Sequence, residues 1–344
     1  MRELKSVRDV KEFQIEKGRI FHSATHEEII EGATSDLYFV RTRELLASVG
    51  KERTFVVAEI FCSREGVLAG VEEAVNLLKK KKVSVWAVPE GEKIEKKEVV
   101  MRISGPYDEF GMYETALLGM LASASGWATA ARLCREAAGD KPVICFGARH
   151  VHPAVAPVME RAAIIGGAND CSCILGAKLL GKEPVGTVPH AAILIVGDTV
   201  ETAFIYDKVM PEDSPRIILV DTFKDEAEET LRVSAALKER LHGVRLDTPA
   251  ERGGVTPGLV HEIRVRLNMA GYNYVKILVS GGISAERIPL LAEAGADAFG
   301  VGSFISAARP IDMTMDLKEI DGQPVAKRGR IPGITDNPRL KRVI

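Results

Sequence analysis

Two glycine-rich segments in the second half of the chain have the composition of phosphate-binding loops. They are Ser280-Gly281-Gly282 and Gly300-Val301-Gly302-Ser303, and each lies at the end of a short apolar run. Because glycine lacks a Cβ, the backbone can approach an anion closely and turn its N–H groups toward it, and a helix opening at the loop adds favourable positive charge. Glycines also close ordinary tight turns, but two such loops on consecutive strands favour a phosphate site.

Two aspartates follow apolar runs in the same part of the chain. Asp221 follows residues 217–220, and Asp247 follows residues 244–246. Carboxylates at such positions bind Mg²⁺, accept hydrogen bonds from sugar hydroxyls, or stabilise a positive charge that develops during a reaction. The alternative is that each aspartate only caps a helix, a role that the adjacent Thr222 and Thr248 can also fill.

Basic side chains cluster after another predicted strand, at residues 143–146. Arg149 offers a planar fork of donors for a carboxylate or phosphate, with a buried acidic partner as the alternative. His150 and His152 would lie on one side of an extended segment, a spacing also found in metal-dependent hydrolases, although no further His-rich strand end completes a site. His190 follows Gly186-Thr187 at a predicted strand end, where a histidine serves as acid, base, phosphate ligand, phosphoryl acceptor or structural residue.

The elements that must position these residues alternate between short apolar strands and amphipathic helices. After Ser123 this alternation, with about 20 to 35 residues between strands, is typical of βα units with a parallel sheet. The carboxyl ends of such strands form one face, so the polar strand ends should share a rim. A barrel or near-complete barrel is the first prediction and an open doubly wound sheet the second, because no GxGxxG follows an early strand.

The first part of the chain has mixed elements that predict an amino-terminal α+β domain. We expect this domain to cover residues 1–122 and to be completed by the basic tail at 312–344, with the barrel domain at 123–311. The longest apolar stretches are far shorter than the roughly 18 residues of a membrane span.

Composition excludes some partners. The chain has 344 residues, 46% hydrophobic and 27% charged, with a formal net charge of -2, so no global field attracts nucleic acid or an anionic membrane. We therefore expect small-molecule partners, and the charged amino terminus together with the short apolar stretches predicts a cytoplasmic protein. Its five cysteines are expected to be reduced, and Cys171 with Cys173 lacks the second pair that a zinc site needs.

Taken together, these residues resemble the nicotinate and quinolinate phosphoribosyltransferases, which share the type II phosphoribosyltransferase fold. The likeness runs from about Ser35 to Ser306 and is closest to the nicotinate enzymes. It rests on the order and spacing of the segments Ser35-Asp36-Leu37-Tyr38-Phe39, Gly147-Ala148-Arg149-His150 with Pro153, Gly186-Thr187 with His190, Asp221-Thr222, Arg245-Leu246-Asp247-Thr248 and the two glycine loops.

The resemblance implies a fold, an assembly and a reaction. The fold is a sandwich-like α+β amino-terminal domain followed by an incomplete α/β barrel, in a homodimer or higher homo-oligomer with sites at the subunit interface. The reaction transfers a phosphoribosyl group from phosphoribosyl pyrophosphate to nicotinate in NAD biosynthesis, with Mg²⁺, and yields nicotinate mononucleotide and pyrophosphate.

The family motifs also imply roles for individual residues. The 5′-phosphate would lie on the Ser280 and Gly300 loops, and Asp221 and Asp247 near the ribose and magnesium. Arg149 would hold the substrate carboxylate, with His150 and Thr187 in the same site and Tyr38 nearby across the dimer. His190 matches the histidine that is phosphorylated in ATP-coupled nicotinate enzymes, which are ligases; the use of ATP by this chain is left open.

Several alternatives stay open. Many nicotinate enzymes have a second basic residue after the arginine, whereas His150 is cationic only below about pH 6.5 unless perturbed. A decarboxylating quinolinate enzyme shares the fold and phosphate loops but needs further basic residues for a second carboxylate. A metal-dependent barrel hydrolase built on His150 and His152, and a nucleotide sensor without turnover, are further alternatives.

Overall fold

A computed structural model describes residues 3–344 of the chain and divides them into two compact units. The first comprises the described residues up to Thr129 together with Arg309–Ile344, and the second is Ala130–Ala308. Met1 and Arg2 of the predicted first domain lie outside the described residues. The division at Thr129 falls within a long helix, later in the chain than the predicted boundary at 122.

The α-helices, in chain order, are α1 Val7–Glu12, α2 His26–Glu31, α3 Leu37–Ser48, α4 Val71–Leu78, α5 Tyr107–Phe110, α6 Glu114–Ala137, α7 Ala156–Gly166, α8 Ile174–Lys178, α9 His190–Val196, α10 Thr199–Val209, α11 Glu226–Leu237, α12 Pro257–Met269, α13 Ile288–Glu293 and α14 Ser303–Ser306. None of the helices in the described residues is long and apolar enough to cross a membrane.

The strands, in chain order, are β1 Phe55–Cys62, β2 Gly66–Val67, β3 Ser84–Ala87, β4 Lys93–Ile94, β5 Val99–Pro106, β6 Val143–Cys145, β7 Asp170–Cys171, β8 Ile217–Leu219, β9 Gly243–Leu246, β10 Lys276–Val279, β11 Ala298–Val301, β12 Met313–Ile320, β13 Gln323–Pro324 and β14 Lys341–Arg342.

An antiparallel sheet organises the first unit. Its strand order is β13-β12-β1-β5-β3-β14, and a short β2-β4 pair lies apart from it. Residues Val71, Ala74 and Leu78 form the buried stripe of α4, at the spacing of one helix face. That stripe, the start of α6 and one face of the sheet form a single apolar core, as an α+β architecture requires.

The end of the chain is part of this sheet. Strand β12 pairs with β1 along its length, from Val56 opposite Ile320 to Cys62 opposite Met313. Further along the tail, the backbone N–H of Thr335 donates to the fully buried Glu59 of β1 (3.0 Å). Glu59 also accepts a hydrogen bond from Arg102 (2.9 Å). Sheet pairing and the hydrogen bond from Thr335 to the buried Glu59 therefore both anchor the tail within the first unit.

A parallel sheet organises the second unit. Its order is β7-β6-β11-β10-β9-β8, with α11, α12 and α13 as crossovers between successive pairs of β8, β9, β10 and β11. The strands are short, apolar and largely buried, as expected where both faces are covered. The end strands β7 and β8 are not paired with one another in the described structure, so the sheet does not close. The predicted fold class is confirmed, in its incomplete form.

Three local expectations are wrong. His190 begins α9 after an irregular segment and does not end a strand. Residues Ala148–His150 form a 3₁₀ turn, so His150 and His152 do not share an extended segment. The Ser280 loop does not open a helix directly, because α13 begins only at Ile288.

Candidate active site

A cavity of about 380 Å³ opens where the parallel strands end. Because β6, β7, β9, β10 and β11 run parallel, the residues that follow them meet at one edge of the sheet. The cavity is lined by Phe146, Ala148, Arg149, His150, Ser172, Arg245, Asp247, Ser280, Gly281, Gly282, Gly300, Gly302 and Ser303. Most of these side chains are polar or absent, which suits an anionic, hydrogen-bonding ligand.

The loop after β10 is a glycine turn held in shape by an arginine. Gly281 and Gly282 have φ angles of +83° and +62°, a region that residues with a Cβ rarely adopt. Arg287 Nη1 donates to the carbonyl oxygens of Gly282 (2.6 Å) and Gly281 (3.4 Å), and its Nη2 donates to Val255 O (2.5 Å). Since both carbonyls are engaged by Arg287, the N–H groups are the polar groups that this turn can offer to an anion.

The second glycine loop touches His150. Gly302 precedes α14, and a Cβ built on it would lie 2.7 Å from His150 Cε1. Any side chain at position 302 would therefore displace the imidazole from its present place. His150 and the loop that contains Gly302 therefore lie next to each other in the lining of the cavity.

Arg245 makes hydrogen bonds to three other residues of the site. It donates from Nε to Ser280 Oγ (2.8 Å), from Nη1 to Thr187 Oγ1 (3.1 Å) and from Nη2 to Asp247 Oδ2 (3.2 Å). Ser280 Oγ in turn donates to Asp247 Oδ1 (2.8 Å), and the guanidinium lies 5.1 Å from the centre of the Phe146 ring. The charges of Arg245 and Asp247 are thereby matched to each other inside the site.

His190 and Asp221 form a second polar pair. His190 Nε2 lies 3.0 Å from Asp221 Oδ2, with 40% of the histidine side chain exposed against 1% of the aspartate side chain. Burial raises the pKa of Asp221 above its usual value, although the hydrogen bond from His190 works in the opposite direction. A buried carboxylate that orients an exposed imidazole is an arrangement suited to acid–base chemistry or to a nucleophilic nitrogen.

The capping alternative for the two aspartates is wrong. Asp225 caps α11 by accepting from the N–H groups of Ala227 and Glu228, and Thr256 caps α12. Thr248 donates to the buried Glu226 (2.8 Å). Asp221 and Asp247 are thus left for roles other than helix capping.

The structure brings together most, but not all, of the predicted site residues. Arg149, His150, Asp247 and both glycine loops line the cavity. Thr187 reaches it through its bond with Arg245, whereas His190 and Asp221 are not among its lining residues. Tyr38 belongs to the first unit, where 55% of it is exposed and its ring lies 4.1 Å from that of Phe39.

The two aspartates do not form a metal site by themselves. Both oxygens of Asp247 already accept hydrogen bonds, as does Asp221 Oδ2, while Asp221 Oδ1 is buried without a partner in the described structure. Among residues 3–344, no group of three or more His, Cys, Asp or Glu side chains is placed to hold a metal ion. A magnesium ion would have to arrive with a ligand that supplies most of its oxygens.

The lack of a metal-binding cluster among the described residues also bears on the hydrolase alternative. His152 is exposed, and its Nδ1 accepts from the N–H of Ala154 (3.2 Å). With His150 in the 3₁₀ turn against Gly302, the two imidazoles lack the shared strand face that the alternative assumed. The geometry gives the hydrolase no support.

Several functional positions were missed from the sequence. Arg287 donates to the glycine turn after β10. Arg245 donates to Ser280 and Thr187, which lie in different loops of the site. Glu160 accepts from the backbone N–H groups of Ala148 and Cys173, in the loops after β6 and β7. The alternation Val244-Arg245-Leu246-Asp247 could have revealed that Arg245 and Asp247 share a strand face. Glu160 and Arg287 carry no such pattern, since their partners are distant backbone groups.

Two family models match the chain over most of its length. They are described as quinolinate phosphoribosyl transferase, N-terminal domain, over residues 36–125, and quinolinate phosphoribosyl transferase, C-terminal domain, over residues 127–316. A solved structure of nicotinate-nucleotide pyrophosphorylase from Pyrococcus furiosus is similar with a TM-score of 0.88 and 46% identity, covering 92% of this chain and 82% of that one.

Curated relatives carry two kinds of name. Nicotinate phosphoribosyltransferase pncB2 of Mycobacterium tuberculosis is 32% identical over 249 residues, which is 69% of this chain and 52% of the relative. The probable carboxylating nicotinate-nucleotide pyrophosphorylase of Methanothermobacter thermautotrophicus is 24% identical over 277 residues, 77% of this chain and 89% of the relative. The chain thus spans about half the length of the nicotinate-named relatives with which it aligns.

Proposed function

Because the chain belongs to the quinolinate phosphoribosyltransferase family, we propose that it transfers a phosphoribosyl group from phosphoribosyl pyrophosphate to a pyridine carboxylic acid in NAD biosynthesis. One observation carries the proposal: two glycine loops and Arg149 line the same cavity, with Asp247 among them. The glycine loops suit the 5′-phosphate and Arg149 suits the carboxylate, so donor and acceptor would meet above Asp247.

The resemblance found from the sequence is confirmed at the level of this family. The narrower assignment to nicotinate enzymes is not, and the descriptions of the family models favour quinolinate. The acceptor therefore has to be argued from the cavity.

We propose nicotinate as the acceptor, because the permanent positive charge in the cavity is limited. Arg245 lies against Asp247 and is compensated by it, which leaves Arg149 as the cavity-lining arginine that is available to a ligand. One guanidinium fork pairs with one carboxylate. A monocarboxylate such as nicotinate matches that charge, whereas a dicarboxylate requires His150 to be protonated.

Quinolinate is the second candidate, and the comparisons favour it. The family descriptions name it, and the Pyrococcus furiosus structure bears a name shared with the carboxylating relative of Methanothermobacter. This acceptor would lose CO₂ in the reaction. His150, which packs against Gly302, would then supply the second positive charge.

Catalysis of the proposed transfer requires positioning and charge, not a general base. The ring nitrogen attacks C1 of the ribose as pyrophosphate leaves, through a transition state in which the sugar carries positive charge. Asp247, fixed between Ser280 and Arg245, would stabilise that charge, and the Ser280 and Gly302 loops would hold the ribose phosphate in place. Magnesium would enter as part of the substrate, bound to the pyrophosphate.

His190 supports a coupling to ATP. If Asp221 is ionised it can only accept, so Nε2 of His190 carries the proton and Nδ1 retains its lone pair. A nitrogen held in this way is a suitable phosphoryl acceptor. We propose that His190 is phosphorylated by ATP during turnover.

We also propose that the active form is a cytoplasmic homodimer in which Tyr38 faces the partner subunit's cavity. The exposure of the Tyr38 ring is compatible with this role. Mixing Tyr38→Ala subunits with Arg149→Ala subunits should restore part of the activity that each variant lacks, because hybrid dimers would contain one intact site.

The deciding experiment measures pyrophosphate release with nicotinate, quinolinate and nicotinamide in parallel, with and without ATP. Of the three compounds, we expect nicotinate to be turned over and quinolinate and nicotinamide not to be. Turnover of quinolinate with release of CO₂ would establish the second candidate instead. If none of the three compounds leads to pyrophosphate release, the proposed function is wrong. One tightly bound zinc ion per chain would instead favour the hydrolase alternative.

A further inference from the structure

Glu160 is a fully buried carboxylate that lies directly behind the cavity. It belongs to α7 and accepts three hydrogen bonds: from the N–H of Ala148 (3.1 Å), from Ser172 Oγ (3.1 Å) and from the N–H of Cys173 (2.5 Å). All three donors are neutral groups in the loops that follow β6 and β7. Glu160 therefore ties together two loops that contribute Ala148, Arg149, His150 and Ser172 to the cavity.

The bond to Ser172 fixes the polarity of that hydroxyl. Because Ser172 Oγ donates to Glu160 Oε1, the single hydroxyl hydrogen of Ser172 points at Glu160 and away from the cavity. Only the lone pairs of Ser172 Oγ then remain for a ligand. Ser172 consequently presents a hydrogen-bond acceptor to the cavity, with the buried carboxyl group of Glu160 behind it.

This polarity discriminates between ligands. A carboxylate placed against Ser172 meets lone pairs and the field of Glu160, and an unpaired or repelled charge in a partly desolvated site is costly. The edge of a pyridine ring, which carries hydrogens, meets no such repulsion. The bond from Ala148 meanwhile keeps the turn that carries Arg149 in place for a single carboxylate.

We propose that Glu160 is a positioning residue that makes the acceptor subsite selective for pyridine monocarboxylates, by turning Ser172 into an acceptor and fixing the Arg149 turn. This inference rests on the proposed function, since it concerns the acceptor of that reaction. It assigns specificity to a side chain that need not touch the substrate.

The test compares Glu160→Gln and Ser172→Ala with the wild type and with Glu183→Gln as a control, because Glu183 is an exposed glutamate paired with Lys178. For each protein, the KM for nicotinate, the KM for phosphoribosyl pyrophosphate and the inhibition constant of quinolinate against nicotinate are measured. Thermal unfolding shows whether each variant is folded.

In Glu160→Gln, an amide nitrogen in the place of Oε1 donates to Ser172 and no longer accepts from the N–H of Ala148, so the Ser172 hydroxyl is free to donate into the cavity and the Arg149 turn loses one hydrogen bond. The ratio of quinolinate affinity to nicotinate affinity should rise about tenfold, the effect of one hydrogen bond to a charged group. Ser172→Ala should move the same ratio in the same direction by a smaller factor, while the KM for phosphoribosyl pyrophosphate and the Glu183→Gln control stay unchanged.

A merely structural Glu160 would lower stability or overall activity without changing the ratio. If Glu160→Gln does not fold, an unchanged ratio in Ser172→Ala overturns the inference on its own. A wild type that prefers quinolinate overturns it as well, while leaving phosphoribosyl transfer intact. A wild type without any pyrophosphate release overturns the proposed function itself, and with it this inference.

Discussion

Asp247 is the residue whose contacts bear most directly on the proposed reaction. Its two oxygens accept from Ser280 and Arg245, 23% of its side chain is exposed, and it lines the cavity. Both the position and the charge of this carboxylate are therefore set before any ligand binds.

Replacing Asp247 by alanine should lower kcat by about 10²- to 10³-fold, as loss of one preorganised electrostatic group does in other enzymes. Asp247→Asn should be nearly as damaging, because it keeps the shape and removes the charge. Steady-state pyrophosphate release measures the effect, with the exposed Asp213→Asn as control. Wild-type kcat in either Asp247 variant would contradict a role near the ribose.

Asp221 gives a pH-dependent prediction. Since burial raises its pKa above the ordinary 3.8, the folded protein holds this proton more tightly than the unfolded chain. The free energy of unfolding should therefore fall as pH rises from about 3.8 through the folded-state pKa. Asp221→Asn lacks this term, so its stability relative to wild type should improve with rising pH in denaturant titrations, while ATP-coupled turnover is lost. A difference that is constant with pH would show that the buried carboxylate imposes no such cost.

At the residue scale, the sequence predicted the positions that depend on local patterns. Asp247 and Ser280 directly follow apolar runs, and glycine pairs mark the two glycine loops, so the location of these residues was predictable. Glu160 and Arg287 were not, because each acts on backbone groups that only the folded chain brings near. Hydrogen-bond partners far apart in sequence leave no periodic signal.

At the scale of the element, the glycine turn depends on a neighbour outside it. Arg287 precedes α13 and donates to the carbonyls of Gly281, Gly282 and Val255. Two consecutive glycines can adopt many backbone conformations in an unconstrained chain. The hydrogen bonds from Arg287 would limit this turn to one conformation.

Arg287→Met should weaken phosphoribosyl pyrophosphate binding about tenfold, because charged hydrogen bonds that order the turn are lost. The KM for the acceptor should change little. Calorimetric titration with phosphoribosyl pyrophosphate is the measurement, and Arg266→Met is a matched control because Arg266 is exposed and pairs along α12 with Glu262. Equal affinity in Arg287→Met and wild type would mean that the turn needs no external support.

Strands were easier to predict than the segments between them. The bounds of β6, β8 and β9 agree within one residue with the predicted runs 143–146, 217–220 and 244–246, since buried parallel strands are short and mostly apolar. The segment before His190 was misread as a strand because Val185 and Val188 lie among turn residues there, and only α9 and the contact with Asp221 define its structure. Periodicity does not distinguish a short apolar run in an irregular segment from a strand.

At the scale of the whole molecule, the first unit is discontinuous in sequence. Strand β12 lies between β13 and β1 in its sheet, and Ile311, Met313 and Met315 belong to its apolar core. The fold of this unit therefore requires residues from both sides of the second unit.

A chain truncated after Ala308 should lose the fold of the first unit, because β1 would become an exposed apolar edge and part of the core would be missing. The second unit retains all its strands in such a chain. Limited proteolysis followed by mass spectrometry should show cleavage within residues 3–129 and protection within 130–308. Protection of both regions would contradict the need for β12.

The separation of β1 from β12 also has a consequence during synthesis. The ribosome produces β1 first and its sheet partner β12 only after all of Ala130–Ala308 has emerged. The second unit has a continuous sequence and can fold while translation proceeds, whereas β1 must wait with one apolar edge unpaired. For most of the time of translation, this nascent chain therefore carries an aggregation-prone edge, and chaperone binding should concentrate on the segment made first.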